Sequence, residues 1–312
     1  MDAVHAVRDT PDGITVVSVP EPEGVGVRVS VVASGICSSD LPGTAWRRTV
    51  TLGHEFSGYT DDGTAVAILP NVPCGSCDQC LAARPQSCRN LHPTIYGFFR
   101  DGGMAGEVMV DESCLSPLPA TLDVRNGCLV EPLAVALHTI HRAAIAPSTR
   151  LLVVGGGAIG LACVAVGLAL GHDVDLIARH PFQRVAGEGL GAGVDPSAEY
   201  EVVIEAAGTQ SALDTATGSA APGGTIALAG MYGEGATIGV ELAMKEISIV
   251  PAFTYGHHES RREFDVAVEL LADDPGIADA MITHRFPLER APHAFAVAAD
   301  RASGAIKVVL EP

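Results

Sequence analysis

The sequence predicts an α/β protein of two domains, one of them built on a doubly wound parallel sheet. Three observations lead there. The chain has 312 residues, enough for two domains of ordinary size. Its composition, 47% hydrophobic and 18% charged with 35 Gly and 20 Pro, is that of a globular chain rather than a disordered or fibrous one. The uncharged run from Leu151 to Leu170 opens with four β-compatible residues, Leu151-Leu152-Val153-Val154, and continues through Gly155-Gly156-Gly157-Ala158-Ile159-Gly160 into an apolar helix ending near Gly171. By length alone that run could span a membrane. A buried strand, a glycine turn and a buried helix account for the apolarity and for the glycines as well, so no membrane partner is expected.

Glycines after a strand and opening a helix are the context in which Gly-x-Gly-x-x-Gly reads as a dinucleotide fingerprint. Gly155 permits the turn, Gly157 lets the backbone approach a pyrophosphate, and Gly160 lets helix pack on strand. Ala158 and Ile159 lie in the first turn, where backbone N–H groups without helical partners face the phosphates. The second strand, Val174 to Ala178, bears on the choice of cofactor. A carboxylate at its end would hold a ribose 2′-hydroxyl. The chain instead reads Ala178-Arg179-His180, followed by Gln183 and Arg184, and Asp175 comes too early in the strand. Cations in place of an anion suit a 2′-phosphate, so Arg179, His180 and Arg184 predict NADP(H) in preference to NAD(H). Further strands are expected at 201–206, 225–229 and 248–252, with helices at 209–220, 258–272 and 291–300 and a final strand at 305–310.

Charge narrows the partners. The net charge is -18, with 19 basic residues against 37 acidic, and the only lysines are Lys245 and Lys307. Such a surface repels phosphate backbones and offers no polybasic patch to a membrane. Met1-Asp2-Ala3-Val4-His5 begins no basic-then-apolar leader, so a cytoplasmic protein is expected.

The eight cysteines are then unsuited to a disulfide framework. Four of them, Cys74, Cys77, Cys80 and Cys88, follow one another at gaps of two, two and seven residues, with Pro73, Gly75 and Pro85 as turn formers. Thiolates so spaced can converge on one tetrahedral ion, and four of them leave no open position, so the site would be structural. A nucleic-acid-binding zinc ribbon would show similar spacing, but this loop carries Asp78 and only Arg84 and Arg89 as cations. Cys114, Cys128 and Cys163 read as small buried apolar residues.

A second set lies around this loop: Gly35-Ile36-Cys37-Ser38-Ser39-Asp40, then Gly53-His54-Glu55, then Val130-Glu131-Pro132 ahead of the glycine turn. Each fragment alone is weak. Together with the four-cysteine loop and the nucleotide-type turn, over almost the whole chain, they resemble the zinc-dependent medium-chain dehydrogenases, the alcohol and polyol dehydrogenase family. The resemblance implies a mainly β GroES-like catalytic domain with a structural zinc lobe at about 71–92, and a Rossmann domain for the dinucleotide. The catalytic domain would be split, 1–122 and 276–312, around a dinucleotide domain at 123–275. Cys37 and His54 match the family's first two catalytic zinc ligands, and Glu55 a ligand or close neighbour. Glu131 matches the glutamate that polyol-type members keep near the metal. Asp40 matches the carboxylate that orients the ligand histidine, and Ser39 the hydroxyl that passes the substrate proton.

One thiolate, one imidazole and one carboxylate leave a zinc site near neutral overall, and so a good Lewis acid with a position for substrate oxygen. Three features depart from the family. Pro42 stands where a relay histidine often occurs, and the stretch from Cys37 to His54 is short. The connection between Gly193 and Tyr200 is also shortened. The expected activity is hydride transfer between NADP(H) and a small polar secondary alcohol or ketone, a polyol, sugar or cyclitol. Ala236 to Phe253 resembles the segment through which family members pair, so a homodimer or homotetramer is expected. Two alternatives are a zinc-independent quinone- or enoyl-type reductase of the same fold, and a noncatalytic NADP(H)-binding protein. The set Cys37, His54 and Glu55 opposes the first, and Pro42 alone encourages the second. Tyr96 to Arg100 is a possible substrate or cofactor contact. His138, His141, His257 and His258 read as core, surface or capping residues, and Lys307 as structural.

Overall fold

The computed structural model describes residues 3–42, 49–196, 198–233 and 235–312. Met1-Asp2 at the start, residues 43–48 in the middle of the shortened Cys37 to His54 stretch, and Ser197 in the shortened connection lie outside them. The chain forms two compact units. The first comprises Met1–Glu131, Glu259–Ala278 and Ile282–Pro312, the second Pro132–His258 and Asp279–Met281.

The first unit is built on a seven-stranded sheet in the order Ile282–Pro287, Lys307–Glu311, Val27–Ile36, Glu55–Thr60, Ala65–Ile68, Leu115–Pro117, with Glu107–Val110 pairing off Val27–Ile36. All its pairings are antiparallel except Ile282–Pro287 on Lys307–Glu311. The register sets Gly35 opposite both Val309 and Glu55. Apolar clusters fill the unit, one around Ile36, Leu52, Met104, Phe295 and Leu310, another around Val29, Phe56, Ile68 and Val108, and a small one of Ala33, Cys128 and Val309. At about 25 cal/mol per Å² of apolar surface removed from water, it is such side chains that hold the sheet together.

The second unit carries a five-stranded parallel sheet in the order Ser248–Pro251, Ala220–Leu228, Tyr200–Glu205, Leu151–Val154, Val174–Ile177. Leu151–Val154, apolar at every position, is buried at every position, as a central strand covered on both faces must be. Helices Ala158–Ala169, Pro181–Leu190 and Gln210–Ser219 follow the strands that precede them in sequence. Beyond Val174–Ile177, among the described residues, the sheet has only an isolated bridge between Asp175 and Gly193.

Two expectations need correction. The helix placed at 258–272 begins later, at Glu263, and ends at Asp273. Glu259 and Ser260 sit in the left-handed region (φ 47° and 69°), which no helix tolerates, and His257–His258 pairs as a short ladder with Arg261–Arg262. That helix also packs in the first unit, not with the nucleotide domain to which 259–275 was assigned. Arg262 donates to the carbonyls of Ser113 (2.8 Å) and Leu115 (3.2 Å), and Ser116 Oγ donates to Asp265 Oδ1 (2.7 Å). Residues 123–131 are likewise held in the first unit, where Ser57 Oγ donates to the carbonyl of Val124 (2.6 Å). Among the described residues, no helix is long and apolar enough to cross a membrane.

Candidate metal and dinucleotide sites

Cys37 follows directly on strand Val27–Ile36 and caps a three-residue 3-10 turn, Ser38–Asp40, that contains Ser39. Asp40 locks this turn: its backbone N–H donates to Cys37 O (2.9 Å), and its Oδ2 accepts from Cys37 N–H (3.0 Å). The other carboxylate oxygen lies 3.4 Å from His54 Nδ1. That contact is too poorly aligned to be a hydrogen bond, and Nδ1 remains buried without a hydrogen-bond partner. Burial pulls the imidazole pKa down, but the Asp40 carboxylate, followed by Cys37, outweighs it and leaves His54 well above its ordinary value. One ring nitrogen faces the Asp40 carboxylate and the other points away from it, on the side where a metal would be held.

Glu55 starts the next strand and is fully buried. Its charge is matched by Lys307, whose Nζ donates to Oε1 (2.8 Å) and Oε2 (2.5 Å) and lies 3.4 Å from the carbonyl of Ile36. Both side chains are 2% exposed or less. Burial opposes the Lys307 ammonium, but the Glu55 charge more than compensates, and its pKa is raised. A Cβ on Gly35 would collide with Glu55 Oε2, so this strand position accommodates the pair only as glycine.

The ligand atoms of Cys37, His54 and Glu55 all lie within 4.8 Å of one another. The residues fit a zinc ion: a thiolate, an imidazole with a carboxylate behind it, and a carboxylate are the donor types zinc takes with one position left open. Glu131 stands in the first turn of helix Val130–Arg142, 9% exposed, and is not part of that group. From the Tyr96 to Arg100 segment, Phe98 reaches the site, its ring 5.0 Å from that of His54. Tyr96 and Arg100 are engaged elsewhere: Arg100 donates to Tyr96 Oη (3.0 Å) and pairs with Asp111, whose Oδ2 accepts from Tyr96 (3.1 Å).

The four loop cysteines also converge. Cys74 and Cys80 Sγ are 4.0 Å apart, Cys77 and Cys80 3.5 Å, Cys77 and Cys88 3.9 Å. The edge of a tetrahedron with Zn–S of about 2.3 Å is about 3.8 Å. Backbone N–H groups point at the sulfurs, from Cys74 and Asn90 to Cys88 Sγ (3.3 and 3.4 Å). Those of Ser76 and Cys77 hold the Cys74 thiol down to about 5, whereas burial first, then the neighbouring thiols, push Cys80 up to about 12. Among the described residues these two are the groups of three or more donors close enough to hold a metal. His138 is buried and His141 stacks on His258 at 3.7 Å between ring centres; neither pair joins such a group. Burial pushes the thiols of Cys114, Cys128 and Cys163 up to about 12, which makes them unreactive.

The glycine turn has the space a dinucleotide needs. Gly155 has φ +117°, and a Cβ on Gly160 would collide with the Gly155 carbonyl oxygen. At Gly157 a Cβ would meet nothing within 4 Å, an open cradle where a pyrophosphate backbone contact requires one. Ala158 and Ile159 open the helix behind it. Gly160→Ala should therefore destabilise the fold, by roughly 1–3 kcal/mol for an overpacked contact. Gly157→Ala should leave thermal stability unchanged and lower dinucleotide affinity at least tenfold. Unfolding curves and fluorescence titration with NADPH check both; unimpaired NADPH binding by Gly157→Ala would contradict this use of the turn.

Asp175 is committed elsewhere. Its Oδ2 accepts from Tyr200 Oη (2.7 Å) and pairs with Arg150 Nη2 (2.7 Å) at the opposite, amino-terminal end of the strand. At the carboxyl end, Arg184 Nη1 donates to Ala178 O (3.1 Å), His180 N–H donates to Gln183 Oε1 (3.4 Å), and Arg179 is exposed. No carboxylate occurs from Ala178 to Arg184.

The Cys37–His54–Glu55 donor set on a mainly antiparallel sheet, combined with a glycine turn on a parallel one, defines a zinc-type alcohol dehydrogenase, an oxidoreductase with a GroES-like and a Rossmann domain. The chain belongs to the zinc-dependent medium-chain dehydrogenase family. The model of the alcohol dehydrogenase GroES-like domain matches residues 23–120. A protein of Sinorhizobium meliloti described as a zinc-binding dehydrogenase, solved bound to NADP, is 31% identical, with a TM-score of 0.86 and all of both chains covered. Galactitol 1-phosphate 5-dehydrogenase of Escherichia coli is 29% identical, with 84% of this chain and 86% of that protein aligned. Sorbitol dehydrogenase of Macaca fascicularis is also 29% identical, over 89% of this chain and 87% of its own.

Sequence reasoning did not foresee two contributors. Lys307 reads as a closing-strand residue, and nothing local signals a partner 252 positions away. Glu205, at the carboxyl end of strand Tyr200–Glu205, shapes the next turn by accepting at Oε1 from the N–H groups of Ala207 and Gly208 (2.8 Å each).

Proposed function

We propose that the protein transfers hydride between NADP(H) and a small polar secondary alcohol or the corresponding ketone, of the polyol, sugar or cyclitol type. The observation that carries this reading is the convergence of Cys37, His54 and Glu55 within 4.8 Å beside Asp40. Cys37, His54 and Glu55 hold the catalytic zinc, and Glu131, outside that converged group, is its proposed further ligand. Cys74, Cys77, Cys80 and Cys88 hold a structural zinc. Zinc bound in the catalytic site supplies Lewis acidity toward a hydroxyl or carbonyl oxygen. Asp40 keeps His54 oriented, Phe98 supplies an apolar wall, and Ser39 passes the substrate's hydroxyl proton to water because Pro42 has no group to accept it. The polyol-type substrate is supported by the glutamate at position 131, by the low aromatic content of 4%, and by relatives named for sugar alcohols.

NADP(H) rather than NAD(H) is supported by Ala178, Arg179, His180 and Arg184 at the end of the second strand, and by the NADP found in the Sinorhizobium relative. NADPH should bind more tightly than NADH, and Arg179→Ala should weaken NADPH at least tenfold, as for a lost hydrogen bond to a charged group, with little change for NADH. Equal affinities before and after the substitution would defeat the assignment. A homodimer is proposed through the outer edge of Ser248–Pro251, flanked by the exposed Met231, Ile238, Val240, Met244 and Phe253. A monomer in sedimentation at micromolar concentration would contradict it.

A further inference from the structure

Strands Val174–Ile177 and Tyr200–Glu205 are not neighbours; Leu151–Val154 runs between them. Their carboxyl ends are therefore about two strand spacings apart, about 10 Å. A side-chain bond nevertheless joins the segments that follow them. Arg179, just past the first, extends its Nη2 to within 3.5 Å of Ser211 Oγ, just past the other. The reach between them passes over the Gly155–Gly160 turn, which leaves the strand in the middle. Ser211 is itself held: its Oγ lies 3.3 Å from Thr209 Oγ1, and Thr209 caps helix Gln210–Ser219 by accepting from Ala212 N–H (3.3 Å).

We propose that Ser211 is a positioning residue for recognition of the cofactor's 2′-phosphate: it holds the Arg179 guanidinium across the mouth of the glycine turn. This rests on the NADP(H) reading above. A free arginine side chain on the surface loses considerable rotamer entropy when it grips a ligand, and a tether made beforehand removes part of that loss. One guanidinium nitrogen is occupied by Ser211, and the remaining N–H groups keep the planar fork that suits a phosphate. Selectivity then depends on two segments far apart in sequence, only one of which carries the recognisable cation.

The test is a double-mutant cycle on the zinc-loaded protein, with NADPH and NADH affinities read by fluorescence titration. Ser211→Ala should weaken NADPH about three- to tenfold, the effect of one modest hydrogen bond, and leave NADH and the thermal midpoint unchanged. Ser211→Thr, which keeps the hydroxyl, should restore NADPH binding. The double variant with Arg179→Ala should bind NADPH no more weakly than Arg179→Ala alone. Unchanged NADPH affinity in Ser211→Ala, or fully additive effects in the double variant, would overturn the positioning role while leaving the Arg179 assignment intact. A wild type that favours NADH, or an Arg179→Ala variant with unaltered preference, would instead overturn the NADP(H) reading and this proposal with it. Equal loss of NADPH and NADH in Ser211→Ala would mark the residue as structural and also overturn the proposal.

Discussion

Lys307→Met should destabilise the metal-free protein by about 3–5 kcal/mol, the cost of leaving one partner of a buried ion pair without the other. Glu55 and Lys307 are 1% and 2% exposed, and Lys307 donates to both carboxylate oxygens. Methionine conserves most of the lysine volume, so the loss reports charge rather than packing. In a chain of this size, the change lowers the thermal midpoint by roughly 6–20 °C. Lys307→Met combined with Glu55→Gln removes the stranded charge and should recover much of that loss. Urea and thermal unfolding followed by circular dichroism supply both values. A cost under about 1 kcal/mol for the single variant would mean that Glu55 is not held as a buried carboxylate.

Cys37→Ala should remove one of the two zinc ions proposed per chain and lower turnover by roughly 10³-fold or more, since metal polarisation of the substrate oxygen is worth several kcal/mol. NADPH binding should survive, because the glycine turn lies in the second unit and shares no residue with the cluster. Metal analysis, turnover and NADPH titration on one preparation are enough. Activity retained in this variant would defeat the zinc mechanism, and an unchanged zinc content would show that Cys37 is not a ligand.

How far the sequence carried the reading depended on whether the chemistry was local. The strand Leu151–Val154 and the turn after it were legible because their determinants are adjacent: continuous apolarity, then a run of glycines in which Gly155 takes a positive φ and Gly160 has no room for a Cβ. The four-cysteine loop was legible for the same reason, since its spacings of two and seven residues already predict the convergence of the four thiols. The start of helix Glu263–Asp273 was misplaced because two non-glycine residues, Glu259 and Ser260, adopt left-handed conformations that no residue type advertises. Its membership of the first unit was missed because it depends on Arg262 reaching the carbonyls of Ser113 and Leu115, nearly 150 positions earlier.

By itself, then, the sequence determined the two-domain α/β class, the metal-binding residue types, the glycine turn and the absence of a ribose-binding carboxylate after the second strand. The glycine turn, the four-cysteine spacing and the missing carboxylate follow from patterns along one segment; the set Cys37, His54 and Glu55 came only through the resemblance of the whole chain to a family. The tertiary structure alone decided that Gly35, Glu55 and Lys307 meet on three adjoining strands and that Asp40 serves both Cys37 and His54. It also decided that Arg179 reaches Ser211 over the turn between them. These are contacts between residues distant in sequence, set by sheet register and strand order. Register is chosen by the summed burial of whole strands, a quantity no local pattern in the chain records.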